Sequence, residues 1–189
     1  MNPTGETAII EGFRNGDHAA VAWVVDRYYA PLYNLLLRLG CRRDEAEDVI
    51  QETLLKAAKG LRSGYSDRGR FRPWLYRVAI NTFRDHAGKA SARREIPVEV
   101  ENLAAQAESL DDSAADPAEA AIRSEDERMV RAAVEGLSDQ QRLCVILRYF
   151  HGLSIREIAF VTRCPCGTVK SRLHTALKQL KSSLAGEME

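Results

Sequence analysis

The amino-acid sequence predicts an all-α protein in which a flexible acidic linker joins two small helical domains. Its 189 residues are enough for one or two domains, and a hydrophobic fraction of 45% is enough to build packed cores. In both flanks of the chain, apolar residues recur at spacings of three and four, which is the period of an amphipathic helix rather than a strand. The periodicity sets the fold class, and the charge pattern sets the division into domains.

Charge is distributed unevenly along the chain, although the formal net charge is zero. Counting Lys and Arg against Asp and Glu gives +5 for residues 1–94, −10 for residues 95–127 and +5 for residues 128–189. The acidic middle segment is rich in Ala, Ser, Asp and Glu, contains Pro97 and Pro117, and has no aromatic residue, as is typical of a linker. We therefore predict one domain on either side of it.

Capping residues place the helices of the N-terminal domain. Asp17, directly after Gly16, is expected to cap one helix, and Gly40 is expected to end it. The segment Asp44-Glu45-Ala46-Glu47 has the capping-box pattern of a further helix start.

Capping boxes also place the helices of the C-terminal domain. They pair Ser124 with Glu127, Ser138 with Gln141, and Ser154 with Glu157. Gly136 and Gly152 stand where the preceding helices are expected to end. Two short helices joined by a tight turn, the second of them basic, are typical of a helix-turn-helix.

The last helix is amphipathic. Its predicted buried stripe consists of Val169, Leu173, Ala176 or Leu177, Leu180 and Leu184. Lys, Arg, Ser, Thr and His side chains away from that stripe can donate to base edges and phosphates. The candidate DNA-binding residues of this helix are Lys170, Ser171, Arg172, His174, Thr175 and Lys178. By itself this motif does not separate repressors, activators, response-regulator output domains and sigma factors.

Four segments together resemble the ECF (extracytoplasmic-function) branch of the sigma-70 family. The segments "GLSIREIAFVT" and "CPCGTVKSRLH" are similar to sigma region 4. The segment "RRDEAEDVIQETLLKA" (residues 42–57) is similar to the polymerase-binding helix of region 2, and "FRPWLYRVAINTFRDH" (residues 71–86) is similar to its promoter-melting helix. The resemblance covers residues 7–90 and 128–184, and implies a region 2-like helical bundle followed by a region 4-like helix-turn-helix.

The resemblance implies that the polar face of the helix at residues 42–57 binds the clamp of the RNA polymerase largest subunit. The residues of that face are Asp48, Gln51, Glu52 and Lys56. The apolar residues of the same helix are expected to face the domain core: Ala46, Val49, Ile50, Thr53 and Leu54. Read without the resemblance, the polar face is an ordinary solvated surface.

Segment 68–94 is strongly basic, with eight Lys or Arg and one acid. Promoter opening requires cations for the backbone and aromatic groups for unstacked bases. The candidate −10 DNA-binding residues are Arg70, Arg72, Trp74, Arg77, Asn81 and Arg84. Trp74 also has core spacing with Leu75 and Val78, so a core role stays open for it. The resemblance implies that the loop Ser63–Arg70 holds a flipped −10 base.

As a whole, the resemblance implies a bacterial, cytoplasmic sigma factor that is not an enzyme and needs no cofactor or metal. It would bind polymerase core at the clamp and flap, read the −35 element as duplex, and capture the −10 element as a separated strand. A separate anti-sigma factor is the expected regulator, and it would hold the protein at the membrane if it is itself a membrane protein. The acidic linker would thread through the polymerase, or act as an inert tether.

Two other functions stay open from the residues alone. One is an ordinary helix-turn-helix transcription regulator, although no ligand or phosphoacceptor domain is evident. The other is a metal- or redox-sensing DNA-binding module built on the cysteines, which would need further ligands. No nucleophile, acid–base pair or phosphate loop indicates an enzyme, and the histidines are expected to be isolated. The apolar runs are too short to span a bilayer, and the N-terminus does not resemble a secretory signal.

The pair Cys164 and Cys166 is interpreted as part of the turn before the last helix. A disulfide between residues two apart would require side chains that point away from each other. Oxidation of this turn that weakens −35 binding is kept as a hypothesis. Compared with the family, Arg163 stands where Gly is common, and Thr175 stands where a basic residue is frequent.

Overall fold

The computed structural model describes residues 3–63, 70–93, 130 and 132–186, and the regular structure of these residues is entirely helical. The helices are α1 (Pro3–Asn15), α2 (His18–Arg38), α3 (Arg43–Arg62), α4 (Phe71–Arg93), α5 (Asp139–Val145), α6 (Ile155–Thr162) and α7 (Cys166–Gly186). A π-helical turn, Ile146–Phe150, continues α5. The predicted all-α class with two helical domains is confirmed. No helix in the described ranges is long and apolar enough to cross a bilayer.

Helices α1 to α4 form the N-terminal bundle, which closes around an aromatic and aliphatic core. The ring of Phe71, at the start of α4, meets Phe13 and Tyr28 edge-on, with centroids 6.4 and 5.7 Å apart. The predicted inner face of α3 is confirmed, because Ala46, Val49, Ile50 and Thr53 are buried and Leu54 is half-buried.

The starts of α2 and α3 differ in how they are capped. The carboxylate of Asp17 accepts the backbone N–H of Ala20 at 3.3 Å, which confirms it as the cap of α2. The expectation that Asp44 caps α3 is wrong. The cap lies two residues earlier, at Arg42, so that the helix begins at Arg43, and the Asp44 carboxylate pairs with the Arg42 guanidinium at 3.1 Å. Inside the first turn, Asp44 still opposes the positive end of the helix dipole.

The C-terminal domain packs α5, α6 and α7 around a second core, in which Leu147, Leu153 and Ile158 are fully buried. Two of the predicted capping boxes are confirmed here. Gln141 accepts the backbone N–H of Ser138 at 3.1 Å at the start of α5. At the start of α6, Glu157 accepts the backbone N–H of Ser154 at 2.7 Å, and the Ser154 hydroxyl accepts in return at 3.3 Å.

The buried stripe of α7 consists of the predicted residues, and the structure decides between Ala176 and Leu177. Val169, Leu173 and Ala176 are buried, whereas Leu177 is 44% exposed. Ala176 rather than Leu177 therefore belongs to the stripe, which continues through the half-buried Leu180 and Leu184.

The turn between α6 and α7 contains a residue in the left-handed region. Arg163 has φ 54° and ψ 40°, and is the one non-glycine residue with positive φ in the described part of the chain. Gly40 and Gly152 have positive φ at the ends of α2 and of the π-helical turn, where glycine avoids the strain of a Cβ. Arg163 occupies such a position without that freedom.

Several predictions fall outside the described residues. These are the acidic linker at 95–127, the capping box of Ser124 and Glu127, and residues 64–69 of the loop expected to hold a flipped base.

The two domains are in contact. Helix α4 packs against α6, and α2 touches the π-helical turn. The contact therefore brings the helix predicted to melt the promoter against the first helix of the helix-turn-helix.

Candidate polymerase- and promoter-binding surfaces

Helix α7 presents a polar face to solvent. Its buried stripe anchors it on α5 and α6, so the opposite side chains point outward: Lys170, Ser171, His174, Thr175 and Lys178 are all exposed. Pro165 precedes the helix, and its carbonyl accepts the N–H of Val169 at 3.1 Å. A fixed helix with such a face has the shape and the donors needed in a major groove.

Arg172 is placed differently from the other five candidate −35 residues. Its guanidinium donates to the side-chain oxygen of Gln140 on α5 and to Sγ of Cys164 at 3.4 Å. The hydroxyl of Thr162 is also 3.1 Å from that sulfur. Arg172 thus ties the recognition helix to α5 and to the turn before it, and Cys164 is part of this polar junction.

The four cysteines do not assemble into a site. All are free, with Cys41 and Cys144 buried, Cys164 half-buried and Cys166 exposed. Burial raises the pKa of Cys144, and burial together with Glu45 and Asp44 raises the pKa of Cys41 to about 12, so both stay as unreactive thiols. Within the described residues, no group of three or more His, Cys, Asp or Glu is placed to hold a metal. Oxidation of the turn at Cys164 stays a hypothesis.

The candidate −10 residues divide into two sets along α4. Asn81 and Arg84 are exposed. Arg70, Arg72 and Arg77 lie where the C-terminal domain makes contact. Burial, and then Arg163, lower the pKa of Arg77.

Trp74 is half-buried between α3 and α4. Its ring is tilted against Phe71 with centroids 5.9 Å apart, and it lies 3.0 Å from the point where a Cβ on Gly60 would stand. Gly60 thus makes room for the indole. This packing favours the core role of Trp74 over that of a base platform.

The candidate polymerase-binding face of α3 also divides into two parts. Asp48 and Gln51 are exposed, and Leu55 beside them is 63% exposed. Leu55 was missed by the sequence reasoning, although an apolar residue outside the buried stripe of α3 is a signal that could have found it. Single exposed leucines are common on protein surfaces, so its position beside Asp48 and Gln51, rather than its exposure alone, makes Leu55 a candidate for this face.

Glu52 and Lys56 instead join a charged cluster with α4. Lys56 Nζ is 3.0 Å from Glu52 and 3.1 Å from Asp85, and the Glu52 carboxylate also contacts Nε2 of His86. Hydrogen bonds from His86 and Lys56 lower the pKa of Glu52 to about 2. The expectation that His86 is unsupported by an acid is therefore wrong, because α3 and α4 are neighbours in the bundle.

A second histidine, His151, lies at the domain contact. Its Nδ1 is 3.1 Å from the hydroxyl of Tyr76 on α4, and the two rings meet edge-on at 5.2 Å. Burial, Arg38 and Arg72 lower the pKa of His151 to about 4, so it is neutral at physiological pH. The expectation that this histidine is isolated is wrong, and no local pattern could have revealed a partner 75 residues away.

These features define a class of protein: a two-domain DNA-binding factor with a helix-turn-helix and a second basic helix. Two family models match the chain, "Sigma-70 region 2" over residues 24–93 and "Sigma-70, region 4" over residues 127–180. The matches cover both helical domains.

Similar proteins agree with the family models. The chain is 34% identical to the RNA polymerase sigma-H factor of Pseudomonas aeruginosa over 181 residues, which is 93% of this chain and 92% of that protein. It is 31% identical to the ECF RNA polymerase sigma factor SigW of Bacillus subtilis over 93% of this chain and 94% of that one. The chain belongs to the sigma-70 family, in its ECF branch, and it is a transcription initiation factor rather than an enzyme.

Solved structures share the fold. The sigma factor RpoE of Bartonella quintana, in complex with the anti-sigma factor NepR, has a TM-score of 0.61 at 25% identity, over 87% of this chain and 96% of that one. CnrH, in complex with the cytosolic domain of CnrY, has a TM-score of 0.68 at 23% identity, over 95% and 96% of the two chains.

Proposed function

We propose that this sigma factor binds core RNA polymerase through the exposed face of α3, reads the −10 element with α4, and reads the −35 element with α7. The observation that carries this division is the exposure of polar faces on α3 and α7 beside buried apolar stripes, on a chain matched by both sigma family models. The proposed domains are residues 1–94 and 128–189, with a tether at 95–127. The gap between the two family matches supports this division.

On α7, the proposed groove contacts come from Lys170, Ser171, His174, Thr175 and Lys178, because these side chains are exposed and carry groups that can bind base edges and phosphates. Arg172 supports the helix from behind through Gln140 and Cys164. Its proposed role is to position the reading face.

The proposed contacts to the separated strand come from Arg70, directly before α4, and from Arg72, Arg77, Asn81 and Arg84 on that helix. Cations along one helix can follow the phosphates of a single strand, and capture of that strand shifts the duplex toward opening. Trp74 would support the helix through its packing on Gly60.

On α3, Asp48, Gln51 and Leu55 form the proposed polymerase contact. Polar side chains around an exposed apolar one match the usual anatomy of a protein interface. Glu52 and Lys56 hold α3 against α4, and through that contact they fix the orientation of the face.

We further propose a cytoplasmic location, where polymerase and promoter DNA are found. A separate anti-sigma factor is the proposed regulator. This is supported by the similar fold of RpoE, which was solved with the anti-sigma factor NepR.

Run-off transcription with purified polymerase core and genomic promoter fragments tests the proposal. The wild-type protein is expected to direct discrete promoter-specific transcripts that core alone does not produce. The absence of both these transcripts and core binding would show that the proposal is wrong.

Core binding can be tested separately with the double variant Asp48→Ala/Leu55→Ala. We expect its affinity for core polymerase to fall about tenfold, because a protein interface depends on a few apolar and polar anchors. The control is Glu11→Ala, which removes an exposed acid from α1, far from this face in the sequence. Equal affinity of all three proteins would place the polymerase contact elsewhere.

A further inference from the structure

An open cleft of about 500 Å³ lies between α2, α4 and the end of the π-helical turn. Helix α2 lines it with residues at spacings of three and four, which share one face of a helix: Arg27, Pro31, Asn34 and Arg38. The short side chains of Ala30 and Pro31 leave room between the two arginines. Sites for small molecules commonly have volumes of about 300–1,000 Å³, so the cleft is large enough for a ligand.

The lining of the cleft is strongly cationic. Helix α4 adds Arg72 and Tyr76, and the C-terminal domain adds Phe150 and His151. Arg72 donates to the backbone carbonyl of His151 and so joins the walls of the cleft. None of the described residues that line the cleft is acidic. Three guanidinium groups therefore surround this space, and no carboxylate in its described lining balances them.

The charges of these arginines act on one buried pair of side chains, Tyr76 and His151. Burial, and then Arg38 and Arg72, lower the pKa of His151 to about 4. Burial raises the pKa of Tyr76, against the opposing charges of Arg72 and Arg27. The electrostatic potential at this pair is therefore positive, and an anion in the cleft would offset it.

His151 also offers an unused hydrogen-bonding atom. Its side chain lines the cleft and is 8% exposed, and its Nε2 has no partner among the described residues. The Tyr76 hydroxyl accepts a hydrogen bond from Arg72, so its own proton can be donated to Nδ1 of His151 at 3.1 Å. This arrangement assigns the proton of the neutral imidazole to Nε2. A buried N–H without an acceptor is unfavourable, and the oxygen of an anion would satisfy it.

We propose that this cleft binds an oligophosphate anion, with Arg27, Arg38 and Arg72 on the phosphates and Nε2 of His151 donating to a phosphate oxygen. Guanidinium groups match phosphate in shape and charge. Arg27 and Arg38 are separated by roughly 16 Å along α2, at about 1.5 Å per residue, so an extended chain of phosphates suits them better than a single phosphate. Inorganic triphosphate and a nucleoside triphosphate share this chemistry.

Isothermal titration calorimetry with the full-length protein measures the affinity for inorganic triphosphate, for GTP and for sulfate at one ionic strength. We expect triphosphate and GTP to bind with one-to-one stoichiometry, and sulfate to bind at least about tenfold more weakly because it contacts fewer cations. Tighter binding of GTP than of triphosphate would show that the nucleoside is also recognised. Equal affinities would show that the phosphate chain alone is recognised.

The test variants are Arg27→Gln and Arg38→Gln, because neither residue belongs to the proposed polymerase or promoter contacts. Each is expected to lower the affinity for triphosphate about tenfold. The matched control is Arg156→Gln, which removes the same charge from an exposed position on α6 outside the cleft and should bind like wild type. Since Arg38 also stacks on Phe150, circular dichroism checks the fold of its variant, and the exposed Arg27 provides the second test.

Nuclear magnetic resonance of the histidine rings locates the bound anion. Triphosphate should shift the ring signals of His151 and leave three others unchanged: His18, His86 and His174. The proposal is wrong if neither triphosphate nor GTP binds saturably, or if both test variants bind as tightly as Arg156→Gln. A shift at His174 in place of His151 would instead put the anion on the exposed face of α7. Run-off transcription is a separate measurement, so a failure of the proposed function would leave these outcomes unchanged.

Discussion

Arg163 is held in a backbone conformation that suits glycine better than arginine. It ends α6 with φ 54°, where a side chain other than that of Gly, Asn or Asp is strained. Its charge also faces Arg77 across the domain contact and lowers the pKa of that guanidinium. The repulsion between the two guanidinium groups opposes the contact between the domains, whereas the strain is confined to the turn itself.

We therefore expect Arg163→Gly to stabilise the protein by about 0.5–1 kcal/mol, because relief of the strain exceeds the greater flexibility of glycine in the unfolded chain. Urea unfolding followed by circular dichroism measures the change. Arg156→Gly, at an exposed position inside α6, is the control and should lose about 1 kcal/mol. A loss of stability in Arg163→Gly would contradict the account of strain.

For single residues, the sequence could predict which positions are unusual, but not the backbone or side-chain conformation that each residue adopts. Comparison with the family pattern identified Arg163 as the residue at a glycine position, and the structure adds the left-handed φ that explains why glycine is suited to it. In the same way, Asp44 has the composition of a cap, but the competing guanidinium of Arg42 draws its carboxylate away.

At the scale of elements, α7 depends on Arg172 for position and on its lysines for contact. Arg172 spans from α7 to Gln140 on α5, whereas Lys170 is exposed. Both side chains carry a positive charge. Their roles are distinguished by whether an alanine substitution changes the stability of the protein or its binding to DNA.

We expect Arg172→Ala to lower the free energy of unfolding by about 1–2 kcal/mol, since it leaves a polar junction without its donor. Lys170→Ala should change the free energy of unfolding by less than about 0.5 kcal/mol. It should weaken binding to a −35 duplex and reduce the slope of log affinity against log salt concentration by about one, because one phosphate contact is lost. Thermal melting and titrations at several salt concentrations measure both. Equal stability of the two variants would contradict the positioning role.

The charged cluster between α3 and α4 is the second prediction at this scale. A double-mutant cycle of Glu52→Gln and His86→Gln should give a coupling of about 0.5–1 kcal/mol, because both partners are partly exposed and solvent screens them. Urea unfolding of the wild type, the two single variants and the double variant measures it. A coupling of zero would show that the contact does not stabilise the bundle.

Elements were the part of the fold best predicted from the sequence. Apolar spacing, Asp17, and the boxes at Ser138 and Ser154 are local signals, and each marks a helix that the structure contains. The partners of His86 and His151 lie 34 and 75 residues away, so they depend on how the helices pack rather than on any local pattern.

At the scale of the whole molecule, docking of the domains requires a neutral His151. In the docked form its ring faces Arg38 of α2, with Arg72 and Tyr76 of α4, and its Nε2 has no hydrogen-bond partner among the described residues. Once the domains separate, the pKa is expected to return toward its ordinary value of about 6.5. The docked form therefore binds fewer protons than the open form.

It follows that the stabilisation from His151 is complete above about pH 6.5 and is lost progressively as the pH falls toward 4. We expect small-angle X-ray scattering to show that the radius of gyration increases as the pH is lowered from about 7.5 to about 5. Glu52, with its pKa lowered to about 2, stays ionised over this range and does not contribute. A His151→Gln variant should lose the pH response, and an unchanged response would assign it to another group.

The π-helical turn at Ile146–Phe150 determines which side chains of the C-terminal domain meet the N-terminal domain. One additional residue in that turn changes the direction of every later side chain by roughly 100° relative to a regular helix. Ile146 and Leu147 remain in the core while Phe150 and His151 turn toward the other domain. The contact between the domains is thereby encoded in helix phase as well as in residue identity. A single-residue deletion in this turn would rotate Phe150 and His151 away from the N-terminal domain without changing any side chain of the contact.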